Sequence, residues 1–113
     1  AYERLDAAAH QYDPSEREVP WTVVFNRASP SAYLRGAGQT TFHTLHWLRH
    51  LEQLGVSVVN GSYAYGTEIS KATQLDQLTE LGVPFPATRV INHASQAVAA
   101  ARGRRYPVLV KAN

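Results

Sequence analysis

Thr41-Phe42-His43-Thr44-Leu45-His46-Trp47-Leu48-Arg49-His50-Leu51-Glu52-Gln53-Leu54-Gly55-Val56-Ser57-Val58-Val59 is the stretch that decides the fold class. Apolar side chains recur at Phe42, Leu45, Leu48 and Leu51, the spacing of one face of an amphipathic helix over residues 41–54. Gly55 supplies the C-terminal stop. Residues 56–59 then read as a strand. Upstream, Trp21-Thr22-Val23-Val24-Phe25 is a short β-branched and aromatic run of the kind that forms a buried strand, ending at Asn26-Arg27. Strand, helix and strand joined in that order predict an α/β arrangement.

The same rhythm continues outward. Thr67 or Ser70 can cap a helix that runs to Leu81 and is stopped by Gly82 and Pro84, with Glu68 near the favourable N-terminal end of its dipole. Residues 88–91 are a predicted strand, Ser95 caps an alanine-rich helix over 96–102, and residues 106–111 are the last predicted strand. Residues 2–9 fit either a strand or a helix, with strand preferred; 13–18 read as a charged turn or short loop, and 28–39, with Pro30, Gly36 and Gly38, as a flexible connection. The basic residues Arg102, Arg104 and Arg105 read as a solvated turn.

Composition narrows the function classes. The 113 residues, 44% of them hydrophobic, suffice for one modest core or for pieces of two adjoining domains. A formal charge of +2 is far from the concentrated basic surface of a nucleic-acid binder. There is no cysteine, hence no disulfide or thiolate metal site, and no apolar run near the ~20 residues of a membrane span. A soluble, cytoplasmic protein without nucleic-acid or membrane partners is the expectation. The sequence also lacks methionine and stops in the apolar run Val108-Leu109-Val110-Lys111-Ala112-Asn113, which leads us to expect a segment cut at both ends.

Lys71 and Lys111 are the only lysines, against nine arginines. Helical spacing puts Lys71 on the face of Leu75 and Leu78, which predicts a place on the buried stripe. Strand alternation puts Lys111 on the face of Leu109, at the carboxyl end of an apolar run, where α/β sheets hold ligands. Lysine suits phosphate as a compact point charge. The competing reading is structural: one lysine snorkels to solvent and the other pairs with a carboxylate.

Four segments in order carry a resemblance: Val58-Val59-Asn60-Gly61, Glu68-Ile69-Ser70-Lys71, Leu81-Gly82-Val83-Pro84-Phe85-Pro86-Ala87-Thr88 and Tyr106-Pro107-Val108-Leu109-Val110-Lys111. Their order and spacing resemble ATP-grasp ligases. The upstream Phe25-Asn26-Arg27 and Leu51-Glu52-Gln53-Leu54-Gly55-Val56 look like the preceding domain of RimK-like alpha-L-glutamate ligases. The resemblance covers roughly residues 21–113. It implies a partial pre-ATP-grasp, Rossmann-like domain over 1–66 and the N-terminal part of an ATP-grasp domain over 67–113. It implies that Lys71 and Lys111 contact the phosphates of ATP. The implied chemistry activates a carboxylate to an acyl phosphate, which an amine, glutamate or a similar amino acid, attacks to form an amide. The family's glycine-rich loop would follow Asn113, and its Mg2+ carboxylates would lie further on, so the segment by itself is expected to hold no catalytic residue and no metal ligand. A non-catalytic ATP-binding regulatory relative and an unrelated α/β interaction domain are the alternatives.

Arg27 and Asn60 each follow a predicted strand at one presumptive sheet edge. Arg27 has the chemistry to hold a substrate carboxylate, and the resemblance makes both cleft residues; turn chemistry at strand ends explains them equally. His43, His46 and His50 fall within about 60° of each other on the predicted helix, opposite Leu45 and Leu48. His46 and His50 have the spacing of a two-ligand metal site, yet no third-ligand pattern accompanies them, so a polar, solvated helix face is expected. His10 and His93 read as isolated. Tyr63 and Tyr65 read as core residues, with cleft lining as the alternative.

Overall fold

In the computed structural model, which describes residues 2–31, 36 and 38–111, the chain divides into two compact units, Ala1–Ile69 and Ser70–Asn113. The division falls at the end of a helix, three residues beyond the boundary read from the sequence at 66/67. Part of the expected connection 28–39 lies outside the described residues.

The first unit is built on a strand, a long helix and a second strand. β1 (Val23–Phe25) and β2 (Ser57–Val59) pair in parallel, with Val23 opposite Ser57, Val24 opposite Val58 and Phe25 opposite Val59. Ser57 N–H donates to the Thr22 carbonyl (3.3 Å) and Asn26 N–H to the Val59 carbonyl (3.0 Å), extending the ladder at both ends. Parallel strands need a crossover of a dozen residues or more. That crossover contains α1 (Gly38–Gln53), which starts three residues before the predicted helix.

α1 ends on a Schellman motif: Gly55 N–H donates to the Glu52 carbonyl (3.0 Å) and Val56 N–H to the Leu51 carbonyl (3.1 Å), while Gly55 takes the left-handed φ of 83°. Leu51 and Val56, brought together by that turn, both belong to the core with Trp47, Leu48 and Tyr65. Val24 and Val58 alternate inward onto this core. Val23, Phe25 and Val59 point the other way and are exposed, so one face of the small sheet is open.

The buried stripe of α1 differs from the predicted one. Leu48 and Leu51 are fully buried, but Phe42 is exposed, and Thr41, Thr44, Trp47 and His50 complete the stripe. The N-terminal segment explains the shift. It forms no strand over 2–9, having instead a turn in which Ala9 N–H donates to the Asp6 carbonyl (3.0 Å). Leu5 and Tyr12 from this segment pack on the core, His10 rests against Trp47 (ring centres 4.3 Å), and Tyr12 stacks on His50 (5.0 Å). The expected solvated histidine face therefore holds only for His46. His43 is half-buried and His50 buried, and His10 is bonded rather than isolated.

α2 (Ser62–Ile69) has no counterpart in the sequence reading, which assigns 60–66 to no element and has Thr67 as one of two possible caps. Thr67 lies inside α2, and the true cap of α3 (Lys71–Glu80) is Ser70, whose hydroxyl accepts from Thr73 N–H (3.2 Å).

In the second unit α3 ends as α1 does, with Gly82 N–H donating to the Thr79 carbonyl (3.1 Å) and Val83 N–H to the Leu78 carbonyl (2.8 Å). Ala94–Gln96 forms a 3-10 turn capped by His93, not Ser95, and α4 (Ala97–Ala101) follows. The predicted strands 88–91 and 106–111 are absent from the described residues: neither segment joins a ladder. An isolated extended segment leaves its backbone groups to water, and β-branched composition alone does not hold it in a sheet. At the coarse level the chain is a mixed helix-and-strand protein with a two-stranded parallel sheet.

Candidate functional site at the carboxyl ends of the strands

β1 and β2 run in the same direction and end level, so the residues that follow them meet. Asn26 Nδ2 donates to the Asn60 carbonyl (3.0 Å), and Asn60 Nδ2 donates back to the Asn26 carbonyl (3.2 Å). Asn26 is buried, and its Oδ1 accepts from Ala28 N–H (3.0 Å), which turns the chain away from the sheet directly after Arg27. Asn60 sits at φ 54°, a left-handed conformation that asparagine adopts more readily than most residues. That turn delivers the chain into α2.

The start of α2 is fixed by α1. Glu52 Oε1 accepts from Ser62 N–H (2.7 Å) and its Oε2 from the Ser62 hydroxyl (2.5 Å), placing a carboxylate at the positive end of the helix. A Cβ at Gly61 would meet the Glu52 carboxylate, the movable end of an exposed side chain, so a larger residue there would displace Glu52 from Ser62. Tyr65 and Ile69, one turn apart, then pack α2 onto the core.

Between these strand ends and α2 lies an open cleft of about 460 Å³ lined by Asn26, Arg27, Ser29, Asn60, Tyr65 and Glu68, among others. Its position, beyond the carboxyl ends of parallel strands, is where open α/β sheets bind ligands. Arg27 is exposed and supplies a planar, permanently charged fork for a carboxylate or phosphate. One of the two N–H groups of the Asn60 side-chain amide is engaged by the Asn26 carbonyl, which fixes that amide at the edge of the cleft. Tyr65 is both core and lining, whereas Tyr63 is exposed and lines nothing here.

Of the four residues singled out in the sequence, Arg27 and Asn60 are brought together in this cleft. The other two stand on separate segments of the second unit. Lys71 is the first residue of α3 and is exposed, contrary to its predicted place on a buried stripe: α3 has no buried residue, and Lys71 Nζ donates to Gln74 Oε1 (3.3 Å). Leu75 and Leu78 on the same face are only half-buried, so α3 has no buried stripe for Lys71 to join. Lys111 is exposed and lies in no strand. Asn26, Glu52 and Gly61 were missed. The first had a signal, since each of the two strands is followed directly by asparagine, at Phe25-Asn26 and Val59-Asn60.

Among the described residues no group of three or more His, Asp or Glu is placed to hold a metal ion, and no helix is long and apolar enough to cross a membrane. No family model, no curated protein and no solved structure matches this chain.

Proposed function

We propose that this chain is the ATP-gripping segment of an ATP-dependent carboxylate–amine ligase of the RimK-like ATP-grasp type, acting in the cytoplasm and adding glutamate or a similar amino acid. The observation that carries the reading is the meeting of Arg27 and Asn60 in one cleft beyond the carboxyl ends of two parallel strands. The ordered segments that end in Lys71 and Lys111 supply the rest.

In this reading Arg27 pairs with a substrate carboxylate, and the Asn26–Asn60 bonds hold the floor on which it stands. Lys71 and Lys111 are exposed, as phosphate ligands must be, and neutralise charge on the nucleotide as a phosphoryl group passes to the carboxylate. The amine then attacks the acyl carbon and phosphate leaves. Magnesium, which the family uses, neutralises phosphate charge when bound. The described residues hold no carboxylate set that fits it.

In the complete ligase that this reading implies, Lys71→Ala and Lys111→Ala are each expected to weaken ATP binding by about tenfold or more, the loss of one charge-assisted hydrogen bond. Arg27→Ala should raise KM for the carboxylate substrate and leave ATP affinity unchanged. Isothermal titration of the Lys71→Ala, Lys111→Ala double variant decides: affinity equal to wild type overturns the proposal. An α/β interaction domain is the second reading, favoured by the open sheet face of Val23, Phe25 and Val59. It predicts no thermal stabilisation by nucleotide.

A further inference from the structure

His10 and His43 come from different parts of the first unit, and their rings meet edge to edge. His10 Nδ1 and His43 Nε2 are 3.1 Å apart and the ring centres 5.4 Å. The difference leaves one ring radius at each end, so the two nitrogens face each other along the line of centres. One donates its hydrogen and the other accepts. Lone pairs aimed at one another do not converge on a third point, which rules out a two-histidine chelate in this arrangement. There is room between them for a single hydrogen.

We propose that residues 2–12 form an acid-released strap, held on α1 while the His10–His43 pair carries at most one extra proton and freed when it takes a second. With no extra proton the pair makes a neutral N–H···N bond. With one, the bond persists as a charge-assisted N–H···N bond, and the Trp47 face against His10 helps hold the charge. With two, each nitrogen carries hydrogen, the bond is gone, and two cations face each other in a half-buried site.

The surroundings do not neutralise that second charge. Among the described residues the titratable side chains in ring contact with the pair or its neighbour are Tyr12, which lies 6.1 Å from His10 and 5.7 Å from His43 between ring centres, and His50, which stacks on Tyr12 at 5.0 Å. His46 faces solvent. The carboxylates of the N-terminal region are committed elsewhere: Glu3 accepts from Trp21 Nε1 (2.9 Å), Asp6 from Ala8 N–H (3.0 Å) and Asp13 from Ser15 (2.8 Å from its N–H).

Burial, and then the neighbouring His43, hold His10 below the ordinary imidazole value. The unfolded chain, with histidine near 6.5, therefore binds more protons than the folded one in the window below that value. Strap attachment is full above about pH 6.5 and is lost as pH falls through the lowered value.

The test uses the whole 113-residue chain. Between about pH 7.5 and pH 5, amide exchange over 2–12, corrected for its intrinsic pH dependence, should rise about tenfold or more, and the emission of Trp47 and Trp21 should shift red, with helical circular dichroism unchanged. His10→Phe keeps an aromatic ring on Trp47 but cannot be protonated, and should abolish the transition. His43→Gln, which still hydrogen-bonds His10 but carries no charge, should move it to lower pH and provides the readout if His10→Phe does not fold. The proposal is overturned if the strap shows no change in this range, if both variants keep the wild-type transition, or if helical signal is lost in step with the tryptophan shift.

Discussion

In the first unit the tripeptides Val23–Phe25 and Ser57–Val59 lie side by side as β1 and β2, and their inward valines close a core with α1. In the second, the stretches 88–91 and 106–110, also rich in valine, isoleucine and leucine but carrying Arg89 and Pro107, stay outside any ladder, with Val90, Leu109 and Val110 66%, 79% and 74% exposed. Yet both units punctuate their helices alike: α1 and α3 end on the same glycine turn, and α3 has an orthodox serine cap. A helix closes its hydrogen bonds within its own segment, whereas a strand needs a second segment to complete it. Helix punctuation is therefore local information that survives in either setting, and a sheet is not.

The contrast can be broken most directly in the core. Leu48→Ala and Leu51→Ala, at fully buried positions, are expected to cost about 2–5 kcal/mol each, while Leu109→Ala and Val110→Ala should stay within about 0.5 kcal/mol. Urea unfolding followed by far-ultraviolet circular dichroism, which reads the helices of both units, measures the difference, and equal losses at Leu48 and Leu109 would mean the second unit has a core of its own. Next in size is glycine replacement. Gly61→Ala forces Glu52 off the start of α2 and should cost about 2 kcal/mol, the loss of bonds to a charged group. Gly82→Ala meets open space and carries only the left-handed penalty of about 1 kcal/mol. If removing the Glu52 side chain does not relieve Gly61→Ala, the collision is not its cause. The smallest effect is at the cap: Ser70→Ala should lower α3 stability by about 1 kcal/mol, seen as faster amide exchange at Thr73 with no change in tryptophan emission.

What could be read from the sequence follows the same division. Gly55 and Gly82 announced their helix ends, and the Val23–Phe25 and Ser57–Val59 strands were found to within two residues, because α1 between them is long and periodic. α2 was missed because its N-terminal partner, Glu52, is ten residues away and belongs to another helix, while Asn60-Gly61-Ser62 looks like a turn in isolation. The histidines were misplaced for a related reason: periodicity tells which side chains share a face, and not that His10 and Tyr12 will arrive to cover it. Of the site, Arg27 and Asn60 were legible as strand-end residues. The mutual bonding of Asn26 and Asn60 required the register of the strands.

The Glu52 carboxylate at the head of α2 has one more consequence. That helix carries its own resident counter-ion, so in the proposed reading an anionic guest in the cleft would be met by the exposed Arg27 side chain and not by the helix dipole. Selectivity would then rest on a side chain and not on main chain. A single substitution that lengthens, shortens or recharges that side chain would retune which anion is admitted, with the scaffold beneath it left as it was.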